Sequence, residues 1–318
     1  MREGDTVLDL GSGTGKICYI ASQIVGPEGK VIGVDFNPPM IALARKYQKQ
    51  IAKKIGWDNV EFKWGKIQDL KTDLSRVEKS LAEKSIRSVE DWFEFGAIAD
   101  EIRLQTPLIA DESVDVVVSN CVLNLVRSED KQQLFREIYR GLKRGGRIAI
   151  SDIVSDEEVQ KELQDDPELW SGCVSGAFQE KAFLKAFEDA GFYGLKIEKR
   201  DEKPWQTVQG IEFRSVTVTG FKGKEGPCWE RHQAVIYNGP WKQVMDDDGH
   251  VLKRGARMAV CDKTFNIYAK EPYVKEMTLV EPQKNIPLSK AKPFDCKNGQ
   301  ERDPRESKGA RFKKTEPA

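Results

Sequence analysis

The stretch "DTVLDLGSGTGK", residues 5–16, constrains the fold more than any other. A short apolar run ending near a carboxylate turns through Gly11, Gly13 and Gly15 into a helical pattern that continues to about Val25. Glycines at such a turn let backbone approach a ligand closely, where the first N–H groups of a helix point outward without intrahelical partners. The following segments repeat the rhythm. "KVIGVD" at 30–35 reads as a second buried strand, Pro38 and Pro39 open a helix where a missing N–H costs nothing, and "NVEFKWG" is a third strand. Residues 113–126 read as a fourth, fully buried strand, and 147–153 as a fifth, reached through a helix at 128–143 and the turn "KRGGR". Strands alternating with helices predict an α/β fold, a parallel sheet covered on both faces.

Residues 71–106 interrupt this pattern with Leu74, Val77 and Leu81 at helical spacing and the cluster "DWFEF", an inserted helical excursion. After the fifth strand come an acidic helix near 155–164, a loop at 165–178, a helix at "EKAFLKAFEDAG" and a strand near 192–199. "FRSVTVTGFK" at 213–222 alternates cleanly, as a half-exposed final strand does. The organisation expected is a ligand-binding domain over 1–222, a smaller strand-rich module over 223–282, and a polar, Pro-containing, aromatic-poor tail over 283–318 without order of its own. Within the module, "AVIYNGPWKQVMDDDGHVL" offers two strands around turn residues.

Basic and acidic residues balance at 51 each, so no net field draws the chain to nucleic acid or to an anionic membrane. There is no apolar run of roughly 18 residues and no basic-then-apolar leader, which points to a cytoplasmic protein with a small-molecule partner. An Asn-Pro-Pro-Tyr or Asp-Pro-Pro-Tyr motif after the fourth strand, expected of a nucleic-acid methylating enzyme, is replaced by "SNCV".

The glycine spacing, G-x-G-x-G, misses the dinucleotide fingerprint G-x-G-x-x-G. Asp9, two residues before Gly11, can accept a hydrogen bond from the amino group of an amino-acid moiety but would repel a pyrophosphate. Asp35, closing the second strand, is placed to accept both ribose hydroxyls. Together the two acids favour S-adenosylmethionine as cofactor. "VLDLGSGTG" with "VIGVD", and "RGLKRGGRIAISD" further on, resemble class I S-adenosylmethionine methyltransferases. The resemblance implies a Rossmann-like sheet, mostly parallel with an antiparallel last strand. It also implies that Gly11, Ser12, Gly13 and Thr14 line the methionine part of the cofactor, that Asp35 and Phe36 hold ribose and adenine, and that Gly65, Lys66 and Ile67 flank the adenine. Asn120 and Cys121 would face the methyl-donor side.

The six cysteines are widely spaced, without a C-x-x-C pair, and only His232 and His250 could add imidazole ligands, so a zinc ribbon or finger is not expected. Cys18 falls in the first turn of the helix after the glycine loop, where the macrodipole favours thiolate, although a packed helix residue is an equal reading. Cys173 in "LWSGCVSGAF" and Cys228 in "GPCWERHQAVIYNG" sit among glycine and proline, as loop residues do. Cys121 lies in an apolar strand and reads as packing; Cys261 and Cys296 read as inert. Two loop thiolates converging on one site would clamp a thiophilic metalloid.

These stretches, with "DVVVSNCVLNLV", resemble the arsenite methyltransferases from residue 5 to about 270, interrupted mainly by 71–106. The resemblance implies methylation of thiol-bound trivalent arsenic, with Cys173 and Cys228 as arsenic ligands, Cys18 in a disulfide relay, and a thiol reductant such as thioredoxin or glutathione as partner. The arsenic lone pair would attack the sulfonium methyl directly, so no general base is required. Departures are Lys16-Ile17 where the family has Arg-Asp, His232-Gln233 where it has Gly-Gln, and only four residues before Asp5, which leaves Cys18 without its expected N-terminal partner. Two other readings fit the same residues: a carbon or oxygen methyltransferase with structural cysteines, and a non-catalytic arsenic-binding protein.

Overall fold

A computed structural model describes residues 1–297 and 299–308. The chain divides into two compact units, residues 1–223 and Lys224 onward.

In the first unit, β1 (Thr6–Leu10), α1 (Lys16–Val25), β2 (Lys30–Asp35), α2 (Pro38–Ile55) and β3 (Val60–Trp64) follow in the expected order. The insertion is a helical pair, α3 (Leu74–Glu83) and α4 (Val89–Gln105), started by Asp73 and by a Ser88–Asp91 capping box. Then come β4 (Val114–Asn120), α5 (Lys131–Gly141) and β5 (Leu142–Ser155), followed by short helices α6 (Lys161–Gln164) and α7 (Pro167–Ser171). The unit closes with β6 (Phe178–Gln179), α8 (Glu180–Asp189), β7 (Tyr193–Arg200), β8 (Gln206–Val208) and β9 (Ile211–Phe221). The sheet order is β3-β2-β1-β4-β5-β9-β7, with β9 antiparallel to both neighbours. The expected α/β sheet with an antiparallel last strand is therefore the fold. No helix among the described residues is long and apolar enough to cross a membrane.

Alternation along β1 assigns its two faces. Leu8 and Leu10 enter a core with Leu134 and Phe135 of α5 and Phe183 and Phe187 of α8, whereas Val7 packs with Cys18 and Tyr19 of α1 and Ala44 of α2. Each fully buried Leu or Phe contributes roughly 1.5–3 kcal/mol relative to exposure, so helices on both faces are the natural outcome of strands apolar on both sides. The fourth strand ends at Asn120 rather than 126: Cys121 has φ 55, which breaks the extended chain, and Leu123–Leu125 form a 3-10 turn. The acidic helix expected over 155–164 is only the turn α6, because β5 continues to Ser155.

The second unit holds an antiparallel sheet, β14-β11-β15, and two strand pairs, β10–β16 and β12–β13. Its elements are β10 (Trp229–Glu230), β11 (Ala234–Tyr237), β12 (Gln243–Met245), β13 (Val251–Lys253), β14 (Arg257–Ala259), α9 (Asp262–Tyr268), β15 (Met277–Val280) and β16 (Lys292–Pro293). Val235, Tyr237, Leu252, Met258 and Phe265 form its core. "AVIYNGPWKQVMDDDGHVL" thus contains three strands instead of two.

The tail expected to lack order corrects the sequence reading over 283–297 and 299–308; residues 298 and 309–318 lie outside the described residues. β16 pairs with β10, Glu301 bridges Met258, and Ser307 bridges Pro282. The guanidinium of Arg302 donates to both carboxylate oxygens of Glu230 at 2.8 and 2.9 Å. Composition averages over such a segment, whereas its order comes from backbone pairing and a charge-assisted ion pair, neither of which needs an apolar pattern.

Candidate active site

The glycine loop and the end of β2 are tied into one rim. The Asp35 carboxylate accepts the Gly13 N–H at 2.7 Å and the Asn37 N–H at 2.8 Å, and the Gly11 and Ser12 amides donate to the Val34 carbonyl. Gly13 has φ +52, and a Cβ built there would meet nothing within 4 Å, so the turn presents bare backbone to open space. In front of it lies a cleft of about 580 Å³ whose lining includes Gly11, Asp35, Phe36, Lys66, Ile67 and Gln68 together with Val122, Leu125 and Arg127. The Phe36 ring is exposed, with the Lys66 ammonium 5.6 Å from its centroid.

Other expected cofactor residues fall elsewhere. Gly65 stands behind the wall, its amide donating to the Asp35 carbonyl and its Cα backed by Leu108. The Ser12 side chain is buried against Gly33, with no hydrogen-bond partner among the described residues, and Thr14 is exposed at the loop tip. Asp9 is buried on the α1 face of β1, where the Cys18 thiol donates to it at 3.2 Å. Burial, reinforced by the charge of Asp35, pushes the Asp9 carboxyl up to about 7. Cys18 itself is wholly buried, and desolvation together with the Asp9 carboxylate pushes its thiol far above the ordinary range. The thiolate expected from the helix dipole is therefore corrected: loss of solvation outweighs a dipole effect of about 0.3–1 kcal/mol.

Cys173 adjoins the cleft wall. Its thiol donates to the carbonyl of Cys121 at 3.4 Å, and Cys121 precedes the lining residue Val122. Both cysteines are half-buried with positive φ, 55 at Cys121 and 62 at Cys173, so each side chain projects from a tight turn. Asn120, just before them, is exposed at the end of β4. The Cys173 loop is pinned to this end of the sheet. The Asn124 amide donates to the carbonyls of Ile153 and Cys173 at 2.7 and 3.2 Å, and the Lys131 ammonium donates to the Gly176 carbonyl at 2.5 Å. A Cβ at Gly176 would stand 1.9 Å from the Asn124 carbonyl oxygen, so only glycine permits this approach.

Beneath the two cysteines lies Asp152, fully buried and accepting the Leu123 and Ile153 amides at 2.9 and 2.8 Å. Burial raises the Asp152 carboxyl to about 6 and lowers the Lys131 ammonium to about 8. Burial and then the Asp152 charge raise Cys173 to about 11, and the same two causes raise Cys121, so both stand as thiols at neutral pH. Sequence reasoning missed Asp152, Asn124, Lys131, Gln68 and Val122. The one available signal was position: Val122 and Gln68 follow strand ends, where parallel sheets bind ligands.

Cys228 lies in the second unit beside Cys261 and Cys296, the three sulfur atoms all within 4.8 Å of one another. Cys261 and Cys296, expected to be inert, thus stand in one group with Cys228. Burial, then a hydrogen bond with Cys228, raises the Cys296 thiol.

A family model described as a methyltransferase domain matches residues 1–191, and with the cleft above it defines the first unit as that of a methyltransferase. Another, described as a domain of unknown function (DUF8838), matches residues 224–312. An arsenite methyltransferase of Aquipseudomonas alcaligenes is 32% identical over 84% of this chain and 70% of its own length. One of Halobacterium salinarum is 39% identical over 64% of this chain, and the match spans 41% of that protein. The chain belongs to the arsenite methyltransferase family. Its fold is that of the crystal structure of an arsenic(III) S-adenosylmethionine methyltransferase from Chlamydomonas reinhardtii, with TM-score 0.58, 24% identity and coverage of 95% of this chain and 89% of the other.

Proposed function

We propose that this chain transfers the methyl group of S-adenosylmethionine to trivalent arsenic held by cysteine thiols. The observation that carries the reading is the Cys173 thiol seated on Cys121, next to a wall residue of the cleft that the glycine loop and Asp35 line. The residues fit the cofactor: bare backbone at Gly13 leaves room for a close ligand, the Asp35 carboxylate is an acceptor at the rim, and Phe36 offers an exposed ring. Bound there, S-adenosylmethionine supplies an electrophilic methyl on a sulfonium sulfur. Asp35 would accept from the ribose hydroxyls, Phe36, Lys66 and Ile67 would face the base, and Asp9 would lie buried beneath the loop.

Cys173 and Cys228 are the arsenic ligands in this reading, and Cys18 serves as a buried partner of Asp9. Each thiol condenses with an arsenic hydroxyl, so that an As–S bond forms and water leaves with the thiol proton. Protonated thiols such as Cys173 suit this exchange. The arsenic lone pair would then form the As–C bond as the sulfonium S–C bond breaks and S-adenosylhomocysteine leaves, which would take arsenic from trivalent to pentavalent. A thiol reductant such as thioredoxin or glutathione supplies the electron pair that restores the trivalent state. Asn124 and Lys131 act as positioning residues for the Cys173 loop.

The test is arsenite with methyl-labelled S-adenosylmethionine and a thiol reductant. Labelled methylarsenic should form with the natural chain and fall by at least about 100-fold in Cys173→Ser and in Cys228→Ser, since a lost ligand removes the positioning that effective-molarity effects supply. Full activity in both variants would refute the ligand roles; label passing to carbon or oxygen of another acceptor would replace the substrate.

A further inference from the structure

The second unit assembles three sulfurs from segments far apart in sequence. Cys228 immediately precedes β10, whose pairing partner β16 brings in the tail; the Phe294 amide donates to the Cys228 carbonyl at 2.9 Å, which places Cys296 two residues further on. Cys261 caps α9, its sulfur accepting the Thr264 N–H at 3.4 Å and lying 3.2 Å from the Thr264 hydroxyl. All three cysteines are free, and their sulfurs lie within 4.8 Å of one another. No histidine, aspartate or glutamate among the described residues completes this group as a fourth ligand.

We propose that Cys228, Cys261 and Cys296 form a three-thiol binding site for trivalent arsenic in the second unit, one that works without Cys173. The inference rests on the preceding reading for the identity of the metalloid. Soft sulfur donors select soft centres, and structural zinc sites are almost always four-coordinate. Trivalent arsenic takes three sulfurs in a pyramid and keeps its lone pair in the fourth direction, which matches the donor count. Charge favours it as well. Arsenous acid plus three thiols gives a neutral tris-thiolate and three waters: three As–O bonds break, three As–S bonds form, each thiol proton leaves as water, and nothing is oxidised or reduced. A divalent cation on three thiolates would leave a net negative charge beside the fully buried Cys261, at a desolvation cost. Cys228 belongs to both sets, pairing with Cys173 in transfer and with Cys261 and Cys296 when the second unit holds arsenic alone.

The experiment uses the full chain as Cys173→Ser, with arsenite as probe and a phosphine as reductant. Bound arsenic is counted by mass spectrometry, and X-ray absorption at the arsenic edge counts its sulfur neighbours. The expected result is one arsenic per chain with three sulfur neighbours. Adding Cys296→Ser, or separately Cys261→Ala, should reduce the neighbours to two and weaken binding by at least tenfold; circular dichroism verifies folding, and the half-buried Cys296 position decides if the Cys261 variant unfolds. No binding by Cys173→Ser, three sulfurs persisting in the double variants, or equimolar zinc chloride displacing the arsenic would overturn the site. Methyl transfer does not enter this readout. A chain that binds through three sulfurs yet never methylates arsenic refutes the transfer reading alone, and one that methylates without this binding refutes the site alone.

Discussion

Replacing Asp35 by alanine removes three things at once: the acceptor for Gly13, the acceptor for Asn37, and the carboxylate offered to the cofactor ribose. The two amides lie near the cleft mouth and can turn to water, so the fold should lose little, within about 1 kcal/mol. Binding should lose more. Hydrogen bonds to a charged group are worth about 1.5–3 kcal/mol each, part of which the vacated hydroxyls recover from water, so a net loss of about 1–3 kcal/mol is expected. At about 1.4 kcal/mol per decade this corresponds to roughly 5- to 150-fold weaker binding. Calorimetric titration with S-adenosylhomocysteine measures it directly. Asp35→Asn, which keeps one neutral acceptor, should fall between the natural chain and the alanine variant. Equal affinity for all three, with unchanged circular dichroism, would refute the assignment of the ribose to the end of β2.

Asp9 gives a pH prediction. Its folded-state carboxyl, raised to about 7, binds a proton that the unfolded chain has released, so its contribution to stability is complete below the unfolded value and is lost as pH rises through about 7. Urea midpoints compared at about pH 5 and about pH 8 should therefore fall less in Asp9→Asn than in the natural chain; parallel changes would show that Asp9 is not protonated in the fold. His250 has the same sign in the second unit. Its hydrogen bond with Asp246, at 2.8 Å, raises the imidazole, so its stabilisation is present below the ordinary imidazole value and fades as pH rises through the folded one, a slope that His250→Gln should remove from thermal unfolding curves. Phe187, fully buried with its ring centroid 4.7 Å from that of Phe135, should cost about 3–5 kcal/mol on truncation to alanine; a loss below 1 kcal/mol in urea unfolding would mean that α8 is not held by this contact.

The sheet and the cofactor rim were legible because their signals are local. Glycine spacing, a carboxylate at each strand end and apolar runs of strand length all lie within a few residues of what they specify. The end of β4 was not, since "VVVSNCVLNLV" stays apolar through the break and only the backbone at Cys121 turns it. Cys18 was misplaced for a related reason: its position in a first helical turn is visible in sequence, whereas the face it presents to Asp9 depends on how α1 lies against β1. Cys261 and Cys296 were read singly, and nothing in their flanks announces that a strand pair brings the tail back to Cys228. Cys173 was found because glycine on both sides marks a loop, but the residues that fasten that loop, Asn124 and Lys131, sit in patterns that look like ordinary strand and helix.

The returning tail bears on how the protein should be produced. A shortened chain stopped at residue 282, the point where the sequence turns polar, would leave β10 with no neighbouring strand, Glu230 with no cation and Cys228 one sulfur poorer. Such a fragment would expose main-chain donors and acceptors that the complete unit satisfies internally, making it prone to self-association. Boundaries for isolating this region should therefore be drawn beyond Ser307, whose hydroxyl and carbonyl both meet Arg257.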